Sequence, residues 1–315
     1  MASQASRLIY GQALNPMLPT IEGVGPSCIA LPPGSWPKVI DFLVERFDTI
    51  SRGEIEARMV RGHVLDAAGE WILPDQLYQA HQKLYYYRSI DTETPIPFEE
   101  AVLFEDEFIV VADKPHFLPV TPGGRYLQET LLVRLKRKLG LDTLAPMHRI
   151  DRETAGLVLF TKQRETRGKY QEMFSRREVE KQYQAVAAFR ADISLPMNYR
   201  SCIKNTEHFM RMCIAAGEAN AETQIALVEA QGSGSLARYR LTPLTGKRHQ
   251  LRVQMAALGL PIVNDQIYPE HFSKTQIEAD DFSRPLQLLA EIIAFRDPLT
   301  GAERRFESQR KLMAF

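Results

Sequence analysis

HRIDRETAGLVLFTK, residues His148 to Lys162, is the stretch on which the fold and chemistry of this 315-residue chain turn. A carboxylate, Asp151, follows the basic pair His148-Arg149, and the run Leu157-Val-Leu-Phe160 comes shortly after. That run is short, apolar and β-prone, so it reads as a buried core strand. Thr154-Ala-Gly156 supplies the small residues of a tight approach just ahead of it. Asp151 then sits on the loop entering a core strand, where a rigid scaffold can aim a reactive group. On its own, an Asp beside an Arg is more often a surface ion pair or a turn. Its partners elsewhere in the chain decide between these readings.

Three later segments share the polar character of this block. In Glu180-Lys181-Gln182-Tyr183, strand alternation puts Lys181 and Tyr183 on one face and Gln182 on the other. An aromatic ring beside an ammonium can stack on a base and hold a phosphate or hydroxyl. In LTGKRHQLRVQ, Leu244 to Gln254, Thr245 and Gly246 end a strand and a helix follows, from Lys247 to Leu258. Its start carries Lys247, Arg248, His249, Gln250 and Arg252, which add to the free backbone N–H groups and the positive helix end. Such a site suits an anion, whether a phosphate or a catalytic carboxylate. Leu251, Val253, Met255 and Leu258 supply the core side, leaving Arg252 at the boundary of the apolar face. A partly buried Arg there needs a carboxylate partner, for which Asp151 is a candidate. The third segment, Gly259 to Tyr268, ends the helix at Gly259 and turns at Asn264-Asp265, and reads as a scaffold loop.

Composition sets the outer limits. The chain is 44% hydrophobic and 25% charged, an ordinary globular balance, and its length suggests about two domains. Its net charge is zero, so no global field advertises a polyanionic partner, and any such partner must be met by local patches. Two exist: Arg125 to Gly140 holds five Lys/Arg against one Glu, and Gln163 to Lys181 holds six against four. Cys28, Cys202 and Cys213 show no C-x-x-C spacing, and the histidines no H-E-x-x-H, so neither a disulfide framework nor a metal site is expected. There is no P-loop and no G-x-S-x-G elbow. No apolar run suits a signal peptide or a membrane span, which points to a cytoplasmic home without a membrane partner.

Along the chain, residues 1–34 read as an irregular arm and 35–90 as a small domain. Val39, Ile40, Phe42, Leu43 and Phe47 repeat at helical spacing, and Ser51 precedes Glu54 in capping-box register for a second helix, Arg52 to Arg61. Short strand-like runs follow at His63–Leu65, Glu70–Leu73 and Leu84–Tyr87. The order in SRGEIEARMVRGHVLDAAGEWI resembles the S4-type RNA-binding module, in which Arg52, Arg58 and Arg61 would contact RNA. Residues 91–97 read as a linker and 98–315 as the larger domain. There, Ala101–Phe104 and Phe108–Ala112 form a hairpin around an acidic turn, and Leu127 to Leu139 forms a helix with a basic face at Arg134, Lys136, Arg137 and Lys138. Helices and strands do not alternate regularly. The expected class is α+β, a mixed, mostly antiparallel sheet flanked by helices and loops, plus the small N-terminal α/β domain.

HRIDRETAGLVLFTK, then KQY, then LTGKRHQLRVQMAALGLPIVNDQIY closely resemble, in this order, the RluA family of pseudouridine synthases. The likeness extends upstream to VLFEDEFIVVADKPHFLPVTPGG and downstream to PLQLLAEIIAFRDPLTG. It implies an isomerase that converts uridine in RNA to pseudouridine, with neither metal nor organic cofactor. By the same resemblance, Asp151 matches the essential aspartate, which acts either on the uracil ring or at ribose C1′. Either route breaks the N1–C1′ bond, lets the base turn and rejoins it through C5. Arg149 matches the arginine supporting the flipped-out nucleotide, and Tyr183 the tyrosine that stacks on the ring and is implicated in removing the C5 proton. Arg252 matches the arginine paired with the aspartate. That agrees with the burial argument, since such a salt bridge favours the ionised carboxylate a nucleophile needs. His148, Lys181, Lys247 and His249 join the substrate-binding set. The chain departs from the family pattern at Ile150, Ala155, Lys247, Asn264 and Leu289, where leucine, serine, arginine, glycine and histidine are usual.

The expected partner is therefore RNA, with large-subunit ribosomal RNA first and transfer RNA second, and the expected state a monomer. Two rivals are a catalytically silent RNA-binding protein and a glycosidase-like hydrolase using Asp151. Pure binding needs no Asp-Tyr-Arg trio, and a hydrolase would release free uracil.

Overall fold

A computed structural model describes residues 18–88, 93–206, 211–232, 235–268 and 281–313. The chain divides into two compact units, Met1–Glu93 with Gly124–Gln128, and Thr94–Gly123 with Glu129–Phe315.

In the first unit, β1 (Ser27–Ala30), α1 (Val39–Arg46), α2 (Arg52–Val60), β2 (Val64–Leu65) and β3 (Lys83–Tyr86) follow one another. The strands pair antiparallel in the order β1-β3-β2. The helical spacing of Val39, Ile40, Phe42 and Leu43 buries all four, with Ile55 and Met59 of α2 in the same core. Ser51 caps α2 by accepting the Glu54 N–H at 3.2 Å, and Gly62 ends the helical segment at φ 71°. One expectation needs correction. Residues 27–30, assigned to an irregular arm, are a strand, because Ser27 to Ala30 find a full ladder against Tyr86 to Lys83. The arm's residues 1–17 lie outside the described residues. The run at Glu70–Leu73 forms only an isolated bridge, Leu65 to Trp71.

The second unit is an α+β fold around an eleven-stranded sheet, its main path running β10-β9-β11-β12-β8-β13-β7-β5-β4. Its strands are β4 (Ala101–Glu105), β5 (Ile109–Lys114), β6 (Ala145–Pro146), β7 (Ala155–Thr161), β8 (Glu180–Ala188), β9 (Met197–Asn205), β10 (Met212–Ala215), β11 (Ala221–Ala230), β12 (Leu236–Pro243), β13 (Leu288–Arg296) and β14 (Glu303–Glu307). The pairing is antiparallel except between β13 and β7, and β4–β5 is the expected hairpin. Every residue of β7 is buried, as the apolar run predicts. α4 (Arg164–Ser175) covers β5 and β7 with Tyr170 and Met173. α3 (Leu131–Leu139) starts at Thr130, later than expected, because that hydroxyl accepts the Val133 N–H. α5 (Gln250–Ala257) starts three residues after Lys247, because the Gln250 side chain folds back to accept from Lys247 N and Thr245 Oγ1. Among the described residues no helix is long and apolar enough to cross a membrane.

Two features of this sheet position the site. Gly156 pairs with Ala290 of β13, and Ala290 with Tyr183 of β8. One row across three strands thus carries Tyr183 toward the loop that holds Asp151, five residues before Gly156. At Gly156 φ is 111°, and a Cβ would run into the Ala290 carbonyl, so only glycine allows the approach. α5, meanwhile, is buried from several sides. Leu251 and Met255 enter the core of β8, β11 and β12, whereas Val253 packs on Ile203, Met212 and Ala221.

Candidate active site

Asp151 lies on the loop before β7, in the wall of a cavity of about 1300 Å³ within the second unit. Its Oδ2 accepts from Arg252 Nη1 at 3.1 Å. Arg252, expected at the edge of an apolar face, is in fact 1% exposed. A guanidinium so deep needs more than one carboxylate. Asp265 accepts from its Nε and Nη2 at 2.8 Å each, and Glu153 Oε2 stands 3.5 Å from Nη1. Burial opposes the Arg252 charge. Asp265, by charge and hydrogen bond, then Asp151 and Glu153, outweigh it and raise its pKa well above the usual value. Burial likewise opposes the Asp265 charge, but Arg252 and the N–H groups of Ile267 and Tyr268 hold that carboxyl below its usual range.

The Asp151 loop is tied from behind. Lys114, fully buried on β5, donates from Nζ to the carbonyls of Pro115 (2.9 Å) and Arg152 (3.0 Å). Its burial lowers its pKa to about 7, with Glu153 and Asp151 pulling the other way. His116 donates from Nδ1 to the Glu153 carbonyl at 2.7 Å. Burial lowers its pKa to about 4, against that hydrogen bond. The two carbonyls after Asp151 are thereby fixed.

Tyr183 and Lys181 both line the cavity. Burial first, and then the Asp151 charge, push the Tyr183 phenol above its ordinary range. Lys181 is lowered by burial and by Arg177. Gln182 points away, donating to Glu291 at 3.0 Å. Arg149 and Lys247 are exposed on the cavity rim, beside Arg177 and Arg248.

Two residues expected among the substrate contacts, His148 and His249, line the cavity and also make contacts within the protein. His148 accepts the Leu159 N–H on Nε2 at 3.1 Å and stacks on Phe174, so its ring completes a backbone ladder. Burial and Lys181 lower its pKa to about 3, which keeps the ring neutral. His249 faces inward, with Nε2 3.8 Å from Asp151 Oδ1. Gln250, counted with the anion donors, instead ties the turn to β11 through the Glu222 carbonyl and Thr223 Oγ1.

The basic patches are also partly spent. Arg134 donates to the carbonyls of Ile96 and Phe98 and pairs with Glu100 and Glu129, and Lys136 is buried. In the first unit Arg52 pairs with Asp41 at 2.9 Å and Arg58 with Glu54 at 2.8 Å, while Arg61 is exposed.

Sequence reading missed Asp265, Tyr268, Lys114, Glu153 and His116 as parts of the site. Burial of Arg252 was the available signal for Asp265, since a charge that deep demands a two-pronged partner.

A family model described as RNA pseudouridylate synthase matches residues 108–257, a span holding Asp151, Tyr183 and Arg252. The dual-specificity RNA pseudouridine synthase RluA of Pasteurella multocida is 32% identical over 210 residues, 65% of this chain and 90% of that protein. The mitochondrial tRNA pseudouridine(32) synthase of Saccharomyces cerevisiae is 34% identical over 171 residues, 53% of this chain and 36% of that protein. The solved structure of human RNA pseudouridylate synthase domain containing 1 shares the fold, with a TM-score of 0.55 at 20% identity, over 70% of this chain and 86% of that one.

Proposed function

The chain belongs to the RluA family of RNA pseudouridine synthases, isomerases of uridine in RNA, and on that premise we propose that Asp151 is its catalytic carboxylate. The observation that carries this reading is the 3.1 Å contact of Asp151 with the one guanidinium nitrogen that Asp265 leaves unused, at the wall of the cavity. A target uridine lifted from its stack enters that cavity, and the cations Arg149, Lys181 and Lys247 around it help meet the unstacking cost of a few kcal/mol. Asp151 then acts on the uracil ring or at C1′, the N1–C1′ bond breaks, and the base turns and rejoins through C5. Tyr183 stacks on the ring while its phenol is neutral. The Asp151 charge is one cause of its raised pKa. After C5 joins C1′ the C5 proton leaves and the ring regains its double bond. The family resemblance implicates the Tyr183 hydroxyl in relaying that proton, taking it up as it passes its own to solvent.

Structured RNA in the cytoplasm is the substrate we assign. The S4-like unit, with Arg61 exposed, supports large-subunit ribosomal RNA as the first target, and the likeness to the yeast tRNA enzyme supports transfer RNA as the second. The test compares the protein with its Asp151→Ala variant on host RNA, followed by chemical mapping of pseudouridine. The parent makes pseudouridine at defined sites and the variant makes none. Equal activity of the two would remove Asp151 from the chemistry.

A further inference from the structure

His249, the N-cap of α5, holds φ 53° and ψ 20°, a left-handed backbone that a residue with a side chain adopts at a cost. This pose sets its ring between Asp151 and Tyr268. Nε2 stands 3.8 Å from Asp151 Oδ1, and Nδ1 lies 2.8 Å from the Tyr268 hydroxyl. The two rings meet edge to face, with centroids 5.6 Å apart.

Hydrogen bookkeeping then fixes the tautomer. The Tyr268 oxygen already accepts the Met212 N–H at 2.9 Å, and His249 is its other hydrogen-bond partner among the described residues. A buried hydroxyl proton left without an acceptor is costly, so it goes to Nδ1. The phenol keeps that proton, because burial raises its pKa against the pull of the Met212 N–H and Arg252. Burial also lowers His249, with Asp151 and Glu153 opposing and Arg252 and Arg248 adding, which leaves the ring neutral. A neutral imidazole accepting on Nδ1 carries its hydrogen on Nε2, the nitrogen facing Asp151.

We propose that Tyr268 and His249 form a tautomer-locked pair that presents an Nε2–H donor to Asp151 Oδ1, while Arg252 holds Oδ2, so that both carboxylate oxygens are oriented for attack. Both are positioning residues. The proposal rests on Asp151 being the catalytic carboxylate. The 3.8 Å gap closes when substrate fills the cavity, as hydrogen bonds of substrate-free sites commonly do.

The experiment measures kcat and KM on a responsive RNA for Tyr268→Phe, His249→Ala and His249→Gln, together with the 15N shifts of the His249 ring in the parent and Tyr268→Phe proteins. Tyr268→Phe lowers kcat roughly tenfold with KM unchanged, the scale of one hydrogen bond to a charged group. His249→Ala does the same or more, and His249→Gln, whose amide N–H can take the place of Nε2–H, restores most of the rate. The shifts place the hydrogen on Nε2 in the parent and show a tautomer mixture in Tyr268→Phe. A parent ring protonated on Nδ1, or a Tyr268→Phe enzyme with wild-type kcat while Asp151→Ala is dead, overturns this proposal alone. An active Asp151→Ala overturns it together with the catalytic reading.

Discussion

Arg252 grips Asp265 through Nε and Nη2, at 2.8 Å each, and so leaves Nη1 as the nitrogen turned toward Asp151. The fork fixes the guanidinium plane, and the plane fixes where the Asp151 carboxylate can rest. Removing Asp265 leaves a buried cation with its main partner gone. Asp265→Ala is expected to cost roughly 3–5 kcal/mol of stability. Chemical denaturation checks this, and a loss below about 1 kcal/mol would show that Asp151 and Glu153 alone can hold Arg252.

Gly156 sits where β7 lies directly against the Ala290 backbone of β13. A methyl group there meets the Ala290 backbone, and φ of 111° is strained for any side chain. Gly156→Ala should therefore lower stability by about 3 kcal/mol or more, or prevent folding. A variant that melts with the parent would mean that the strands can part without loss.

Tyr183 tests chemistry separately from binding. Tyr183→Phe keeps the ring proposed to stack on the base and removes the hydroxyl. The expected outcome is a fall in kcat on the order of 10²–10⁴-fold with RNA affinity little changed, as for a lost proton-transfer group. Rate and binding measured on one RNA decide it, since an equal loss in both would leave the hydroxyl a binding contact.

His148 makes stability depend on acid. Its folded pKa of about 3 lies below the ordinary 6.5, so between these values the unfolded chain binds a proton that the folded chain does not. Its contribution is complete above pH 6.5 and declines as the pH falls toward 3, by up to about 1.4 kcal/mol per pH unit. His116, lowered to about 4, adds in the same direction. His148→Gln can still accept the Leu159 N–H without titrating. Its denaturation midpoint should change less than the parent's between pH 7 and 5, and an equal change would place the acid sensitivity elsewhere.

What the sequence determined by itself was local. The spacing of Val39 to Leu43, the Ser51 cap, the buried run of β7 and the break at Gly259 each follow from a residue's own periodicity or dihedral freedom. So does the demand that a sunken Arg252 find a carboxylate, because the cost of burying charge is independent of the fold. The tertiary structure decided which groups meet. Residues 151 and 183 lie far in the chain from the pair 252 and 265, and they converge through the Gly156–Ala290–Tyr183 row and the burial of α5. It also decided which polar residues turn inward. In the sequence His148 reads as a substrate contact by family resemblance and Gln250 as an anion donor; in the fold their hydrogen bonds go to Leu159, Glu222 and Thr223. Polar side chains carry no periodic signal for their partners. Whether each one faces a substrate or a backbone group depends on which donors and acceptors the packed sheet leaves within about 3 Å.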